Sequence, residues 1–294
     1  MSDYHVHLHP HEPSGSGPPA GEYPPGHIES FVTAAAARGV DEIGFTEHLY
    51  RCREAAPALG RFWEHEHRLD LAEHTRSFVE ADQNLSLDDY VETVLAAKDA
   101  GLPVRLGLEI DFFPDTFAAV LELIDPYPWD YLIGSVHWVG GWAIDSSAQI
   151  HEFDRRGVER AWLDYFALEA ELAATGGIDV LAHVDVCKKY GFRPDTEPAD
   201  AYREVVAAAA AGGLAVEVSS QGLRNPAAEV YPSPTLLSMF HDAGVPITLA
   251  SDAHFPHEAG YGTLEVRAAA RAAGYGSYLR FEQRKRIEVS LDRP

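Results

Sequence analysis

The sequence predicts an α/β fold in which short strands and longer helices alternate along the chain. Seven β-branched segments are predicted as strands, at residues 4–7, 42–46, 104–110, 131–137, 179–183, 214–219 and 245–250. Seven Ala-rich segments are predicted as helices, at residues 28–38, 87–100, 116–124, 158–175, 199–211, 233–242 and 258–273. Several of these helices end at a glycine, which forms a left-handed cap without the strain of a Cβ. Strands separated by helices pair in parallel through right-handed crossovers.

The seven strand–helix units follow one another without a linker in the middle of the chain. The one segment rich in Pro and Gly, residues 13–26, comes just after the first strand and is predicted as a loop. We therefore expect one domain over residues 1–294, built as a closed or nearly closed β/α barrel. A doubly wound open sheet is the alternative that the same pattern allows.

Composition excludes several classes of protein. The net charge of −23 disfavours a surface for extended nucleic acid, although it does not exclude a small basic pocket. The two cysteines, Cys52 and Cys187, provide neither a disulfide framework nor zinc-finger spacing. The first residues have neither the basic nor the apolar part of a secretion signal, and no apolar run approaches the ~20 residues of a membrane span. We expect a cytoplasmic protein without membrane association; the oligomeric state stays open.

Potential metal ligands interrupt the predicted strands near their carboxyl ends. The first strand carries His5 and His7, and alternation of side chains along a strand directs both to one face. The other candidates on the strands are His48, Glu109, His137, His183, Asp252 and His254. In a β/α barrel these strand ends meet at one mouth. Imidazole and carboxylate ligands suit Zn, Fe or Mn, and more than six of them indicate more than one divalent ion.

The remaining histidines are weaker candidates, since isolated histidines are more often surface groups. Residues 65, 67, 74, 151, 241 and 257 lie in predicted loops or polar helical stretches, where a histidine needs no special function. An HxH pair is also a weak signal by itself. The joint pattern over six strands is much harder to explain without a metal site.

These motifs resemble the polymerase and histidinol phosphatase (PHP) family of metallohydrolases. The similar blocks run in the family's order over nearly the whole chain: DYHVH (3–7), FTEH (45–48), GLEID (107–111), GSVH (134–137), LAHVD (181–185) and SDAH (251–254). Three longer stretches resemble the histidinol-phosphatase branch: GSVHWVGGWAID, AHVDVCKKYG and VEVSSQGLRNPAAEVYPSPTLL. The resemblance implies a distorted seven-stranded β/α (TIM-like) barrel of the PHP type with a trinuclear metal site that hydrolyses phosphate esters.

The resemblance also implies how the ligands are shared among the ions. It assigns one ion to His5, His7, Glu109 and Asp252, with Glu109 bridging to a second ion that His137 and His183 bind. It assigns the third ion to His48, His254 and a histidine of the loop after the first strand.

Two departures from the family's pattern affect this assignment. The position expected for the loop histidine is Pro13, so His11 or His9 must take the role; we favour His11, because His9 continues the strand alternation into the wall. In addition, Ser219-Ser220 stands where the branch usually carries an Asn-Thr pair, which is expected to alter the substrate pocket.

The predicted reaction is hydrolysis of a small phosphorylated substrate, most closely L-histidinol phosphate, in histidine biosynthesis. Two or three divalent ions would activate water and stabilise the phosphoryl oxygens. Glu109 would bridge ions, Asp252 would orient or deprotonate the nucleophile, and His254 would protonate the leaving alkoxide. The residues predicted to bind the substrate phosphate are Arg224, as the first choice, with Lys188, Lys189 and Arg51.

Other functions fit parts of the same pattern. A phosphodiesterase or exonuclease of the PHP type, acting on small nucleotides or oligonucleotides, is the main alternative. An amidohydrolase is disfavoured because Glu109, and not a modified lysine, stands on the bridging strand. A non-enzymatic metal-bound module is disfavoured because nearly every ligand is present. Aromatic residues at 112, 113, 138, 142 and 190 are expected either to stack on an imidazole-bearing substrate or simply to cover the barrel mouth.

Overall fold

The computed structural model describes residues 1–11 and 17–292. The strands are β1 (Ser2–Val6), β2 (Glu42–Phe45), β3 (Val104–Leu106), β4 (Glu109–Asp111), β5 (Ile133–Ser135), β6 (Trp138–Val139), β7 (Trp142–Ala143), β8 (Val180–Leu181), β9 (Ala215–Ser219), β10 (Ile247–Ala250), β11 (Ser277–Glu282) and β12 (Lys285–Ser290). The helices are α1 (His27–Ala36), α2 (Ala56–Leu59), α3 (Leu69–Asp82), α4 (Leu87–Asp99), α5 (Phe117–Ile124), α6 (Glu152–Arg156), α7 (Val158–Ala174), α8 (Ala199–Gly212), α9 (Pro234–Asp242) and α10 (Thr263–Ala272). No helix in these ranges is long and apolar enough to span a membrane.

Two parallel sheets form the centre of the fold. One has the order β1-β2-β3 and the other the order β10-β9-β8-β5-β4. Isolated parallel bridges between Val6 and Ala253 and between His48 and Glu109 connect residues of the two sheets and of the segments that follow their strands. The predicted α/β class with a mostly parallel sheet is confirmed, while the closed seven-stranded barrel stays a prediction.

The predicted third strand is divided into two. β3 pairs with β2, whereas β4 pairs with β5 in the other sheet. Gly107 lies at this break, where an added Cβ would be 2.6 Å from Cζ of Tyr131 and 2.8 Å from Cγ2 of Thr46. Only glycine permits that close approach without displacing its neighbours. The break makes Glu109 the first residue of a strand that pairs with the second sheet.

The predicted helices are present, but one long helix was missed. α10 begins later than predicted, at Thr263, because a 3-10 turn at Pro256–Glu258 precedes it. The missed helix is α3, whose buried side consists of Leu71, Thr75, Val79 and Asp82. Two of these four residues are polar, so the apolar stripe that predicts a helix is broken.

The C-terminal hairpin of β11 and β12 was also missed. Leu279 and Phe281 of β11 are buried in a small cluster that includes Tyr4 of β1 and Tyr131. The Tyr4 and Tyr131 rings stack with centroids 4.8 Å apart, and the Phe281 ring lies 5.9 Å from Tyr131. The hairpin therefore covers the part of the core that contains Tyr4 and Tyr131.

Candidate metal centre

The histidines that follow the strands meet around Glu109. Nε2 of His5 lies 3.0 Å from Nε2 of His7, and Nε2 of His137 lies 3.2 Å from Nε2 of His183. Oε2 of Glu109 faces the first pair, 3.3 Å from Nε2 of His5, and Oε1 faces the second, 3.2 Å from Nε2 of His183. The two oxygens of one carboxylate therefore lie between two different sets of imidazoles.

Four overlapping groups of side chains offer ligand atoms within 4.8 Å of one another. Three of them contain only residues predicted from the sequence: His5, His7 and Asp252; His5, Glu109 and His183; and His7, His48 and His254. The fourth joins Asp111 to His48 and His137. Because the groups share members, they form one cluster and not four separate sites.

The chemistry of this cluster fits divalent metal ions. Among the described residues, Oε2 of Glu109, Oδ1 of Asp252 and Nε2 of His254 are buried without a hydrogen-bond partner. Buried polar atoms of this kind are costly unless something satisfies them. Closely facing imidazole nitrogens and carboxylate oxygens are the donor set that zinc and similar ions bind.

The two loop histidines have different surroundings. His9 is fully buried, with Nδ1 3.2 Å from Oε1 of Glu47 and Nε2 3.0 Å from the carbonyl oxygen of Glu22. His11 is partly exposed, and its Nε2 lies 3.2 Å from Nε2 of His48. The geometry therefore favours His11 for the third group. Pro13, at the family's usual position, lies outside the described residues.

The surroundings of Glu109, Asp252 and His48 favour the protonation state in which each can bind a metal. Burial alone would raise the pKa of Glu109, but attraction by His48, His5 and His137 holds it well below its usual range. Burial likewise opposes ionisation of Asp252, and its pKa is nevertheless held well below the usual value, chiefly by His5. Burial lowers the pKa of His48 well below its usual range, so this imidazole is neutral and able to act as a ligand.

Buried carboxylates orient two of the imidazoles. Oε2 of Glu217, on β9, accepts a hydrogen bond of 2.7 Å from Nδ1 of His5. Oδ1 of Asp111, on β4, lies 2.6 Å from Nδ1 of His137. A ligating histidine typically gives its second ring N–H to such a partner. The sequence interpretation missed both partners; their signal was a charged residue within an apolar strand, as in AVEVS.

Two adjoining cavities open onto this cluster. The first, called the metal cavity, has a volume of about 380 Å³. Its lining includes His11, His48, His137, Asp145, Lys189, Gln221, Arg224, Asp252 and His254. The second, called the side cavity, has a volume of about 200 Å³ and shares His11, His48, His137, Asp145 and Lys189 with the first.

Two of the four predicted phosphate-binding cations line the metal cavity. Arg224 donates from Nη2 to the carbonyl oxygens of Ser251 and Asp252, at 3.0 and 2.9 Å. Its Nη1 has no hydrogen-bond partner among the described residues. Nζ of Lys189 lies 2.9 Å from Oδ2 of Asp145.

The other two cations are held in buried ion pairs away from the two cavities. Lys188 is fully buried, and its Nζ lies 2.7 Å from both Asp185 and Glu229. Arg51 is also buried; it donates to the carbonyl oxygens of residues 9 and 10 and lies 3.2 Å from Asp82. Neither residue lines the two cavities. Both ion pairs stabilise the walls, and Arg51 fixes the segment that carries His11.

Three other predictions concern the surroundings of the cluster. Ser219 and Ser220 are buried outside the lining of the two cavities, and Oγ of Ser220 donates to the carbonyl oxygen of Tyr261. Of the aromatic residues predicted at the mouth, only Trp138 and Tyr190 line the side cavity. His74, which had been given no role, lines it as well.

Asp252 has an unusual backbone conformation for a residue with a side chain. Its φ is +52°, in the left-handed region. Strain of this kind concentrates at functional sites, where the surrounding structure holds it. Here the carbonyl oxygen of Asp252 accepts the hydrogen bond from Arg224.

The chain is similar over most of its length to proteins named histidinol-phosphatase. The chain is 33% identical over 264 residues to a probable histidinol-phosphatase of Deinococcus radiodurans, covering 88% of this chain and 92% of that protein. It is 24% identical to a histidinol-phosphatase of Lactococcus lactis, covering 96% of this chain and 95% of that protein. A crystal structure of histidinol phosphate phosphatase from Lactococcus lactis, with zinc, L-histidinol and phosphate, matches with a TM-score of 0.72 at 22% identity, covering 97% of this chain and 98% of that one.

The family model gives the same result. The model of the PHP domain matches residues 24–221, which is more than half of the chain. Together with the 33% identity to the Deinococcus protein, this match shows that the chain belongs to the PHP family.

Proposed function

We propose that this protein is a phosphoric monoester hydrolase that converts L-histidinol phosphate to L-histidinol and phosphate in histidine biosynthesis. The observation that carries the proposal is the cluster around Glu109, which opens into a cavity with Arg224 and Lys189 in its lining. Relatives named histidinol-phosphatase match over most of the chain, and one related crystal structure contains zinc, L-histidinol and phosphate. The site and these names agree on a small phosphorylated substrate.

The proposed ligands form the three sets that the resemblance to the PHP family implies, and short contacts within the cluster support them. They are His5, His7, Glu109 and Asp252 for the first ion, Glu109, His137 and His183 for the second, and His11, His48 and His254 for the third. When bound, two or three divalent ions such as Zn, Mn or Fe supply Lewis acidity toward the phosphoryl oxygens and hydroxide near neutral pH.

The protein's own groups then orient the reacting atoms. Glu109 is suited to bridge, because its two oxygens face different sets of histidines. Asp252 is held as the carboxylate and can orient the attacking water. His254 lines the metal cavity, and burial lowers its pKa well below the usual range, so its imidazole is neutral and suited to bind the third ion rather than to protonate the leaving alkoxide. A phosphate dianion needs cationic recognition as well, for which we propose Nη1 of Arg224 and the ammonium of Lys189.

The same proposal extends to the architecture. The bridges Val6–Ala253 and His48–Glu109 lie where the two sheets approach each other. They support a distorted seven-stranded barrel in which β3 and β4 together occupy one strand position, with the ligands at one end.

The products released from a monoester and from a diester separate this proposal from the phosphodiesterase alternative: inorganic phosphate measures hydrolysis of the first, and p-nitrophenol measures hydrolysis of the second. Purified protein with measured metal content is assayed with L-histidinol phosphate and with bis(p-nitrophenyl) phosphate. We expect turnover of the monoester with little turnover of the diester. Turnover of the diester alone would favour the phosphodiesterase.

The Arg224→Ala variant tests the phosphate site. We expect KM for L-histidinol phosphate to rise by about tenfold to a hundredfold, the usual range for one charge-assisted hydrogen bond, while metal content is unchanged. The matched control is Arg203→Ala, since Arg203 is 64% exposed on α8 and distant in the chain from every ligand. Wild-type kinetics for Arg224→Ala would refute this assignment.

A further inference from the structure

The side cavity adjoins the metal cavity. Five residues line both, so the two volumes meet along these side chains. An ester whose phosphate lies in the metal cavity therefore has room for its alcohol part in the side cavity. This statement rests on the proposed phosphatase function.

The walls of the side cavity suit a flat, polar group. Aromatic rings contribute from Tyr50, Phe78, Trp138 and Tyr190. Of the described lining residues, Asp145 is the one carboxylate and Lys189 the one Lys or Arg side chain. Both lie at the junction of the cavities, since each lines both of them. A charged pair at this position is placed to distinguish the two ends of a substrate.

Asp145 is available as an anion at this junction. Burial would raise its pKa, but attraction by Lys189 and His137 holds the pKa of this carboxyl well below its usual value. Lys189 contacts Oδ2 of Asp145 at 2.9 Å, and the hydroxyl of Tyr190 donates to its backbone carbonyl oxygen at 3.0 Å. These contacts hold Asp145 in place, and its side chain is still 22% exposed.

We propose that Asp145 binds a protonated amine on the alcohol part of the substrate while Lys189 binds the phosphate, so that the site selects phosphate monoesters of amino alcohols. In L-histidinol phosphate the amine is on the carbon next to the one that carries the ester oxygen. The positive and negative charges of the substrate are therefore only a few bonds apart. Asp145 and Lys189 lie 2.9 Å apart, so they are close enough to bind the two charges at the same time. The imidazole then extends toward the aromatic walls.

Two substrates that differ only in the amine test this inference. They are L-histidinol phosphate and its deamino analogue, 3-(imidazol-4-yl)propyl phosphate. We expect the wild-type protein to prefer the first in kcat/KM by about tenfold to a hundredfold, the range of a hydrogen bond to a charged group. The variant Asp145→Asn should lose this preference through a lower kcat/KM for L-histidinol phosphate alone. Lys189→Met should instead lower kcat/KM for both esters by similar factors.

Controls separate this role from a structural one. The deamino ester reports whether Asp145→Asn still has an intact metal site, and Asp99→Asn repeats the same chemical change at an exposed position of α4. Equal losses for both esters in Asp145→Asn would overturn the inference, because Asp145 would then act only by holding Lys189. Equal turnover of both esters by the wild-type protein would overturn it and leave the phosphatase function intact. Turnover of neither ester would overturn both.

Discussion

Glu217 gives the sharpest test of how this protein builds its metal site. Its carboxylate accepts a hydrogen bond of 2.7 Å from Nδ1 of His5, and both side chains are at most 1% exposed. Burial disfavours a charged imidazole, yet attraction by Glu217, Asp252 and Glu109 raises the pKa of His5 well above its usual value. Glu217 also fixes the ring so that Nε2 faces the cluster, 3.3 Å from Oε2 of Glu109.

The variant Glu217→Gln keeps the shape of the side chain and removes its charge. Loss of such a partner typically lowers metal affinity by about 10–100-fold, which corresponds to about 1.4–2.8 kcal/mol at 1.4 kcal/mol per factor of ten. Competition against a chromophoric chelator at fixed pH measures zinc affinity directly. Thermal melts with and without zinc provide a second measurement, since bound metal stabilises the folded state in proportion to the logarithm of its affinity.

The control and the metal-free protein separate positioning from folding. Glu122→Gln makes the same change at an exposed position of α5 and should leave zinc affinity unchanged. If Glu217 only supports the fold, Glu217→Gln will melt at a lower temperature without metal and bind zinc as the wild type does. Unchanged zinc affinity in a folded Glu217→Gln protein would refute the positioning role.

Three more predictions concern stability. Burial raises the pKa of Glu169 to about 8, above its usual 4.5, so its contribution to folding falls as pH rises between these values. The free energy of unfolding of Glu169→Gln should therefore rise relative to that of the wild type by up to about 1.4 kcal/mol per pH unit over that window. Urea unfolding at pH 4, 6 and 9 measures this difference, and a difference that stays constant with pH would contradict the prediction. Arg51→Met should cost about 3–5 kcal/mol, because it leaves the buried carboxylates of Glu47 and Asp82 without their cation; urea unfolding measures the loss, and an effect on KM alone would restore Arg51 to the phosphate site. Removal of metal with a chelator should lower the melting temperature reversibly, and less so in Glu109→Gln, as calorimetry before and after zinc addition would show.

The placement of the candidate ligands was predictable because strand periodicity alone determines much of it. His5 and His7 must share one face, and residues at the ends of parallel strands must meet. Which side chain supports another across the sheet depends instead on strand order and register. Glu217 of β9 reaches His5 of β1 although 212 residues separate them, and no local pattern specifies that contact.

The side cavity was missed for a different reason. His74, Thr75 and Phe78 of its wall all belong to α3, and this helix was not predicted. A polar residue at a buried position lowers the helical signal because hydrophobic periodicity counts it as exposed. Thr75 has such a position, where its hydroxyl donates to the carbonyl oxygen of Gly141. The buried Thr75 therefore has two effects. It holds the cavity wall in place, and it weakens the hydrophobic periodicity from which the helix would have been predicted.

The arginines show what sequence position cannot specify about charge. Arg51 and Arg224 both follow strands that carry ligands, so both were expected to bind phosphate. Arg51 has its guanidinium surrounded by two carbonyl oxygens and the carboxylates of Glu47 and Asp82. Arg224 also donates to two carbonyl oxygens, but its Nη1 has no partner among the described residues, and the side chain lines the metal cavity. Each arginine keeps one nitrogen without a partner among the described residues, Nε in Arg51 and Nη1 in Arg224. What decides between the two is therefore access: Arg224 lines the metal cavity, whereas Arg51 lines neither cavity and lies among buried carboxylates.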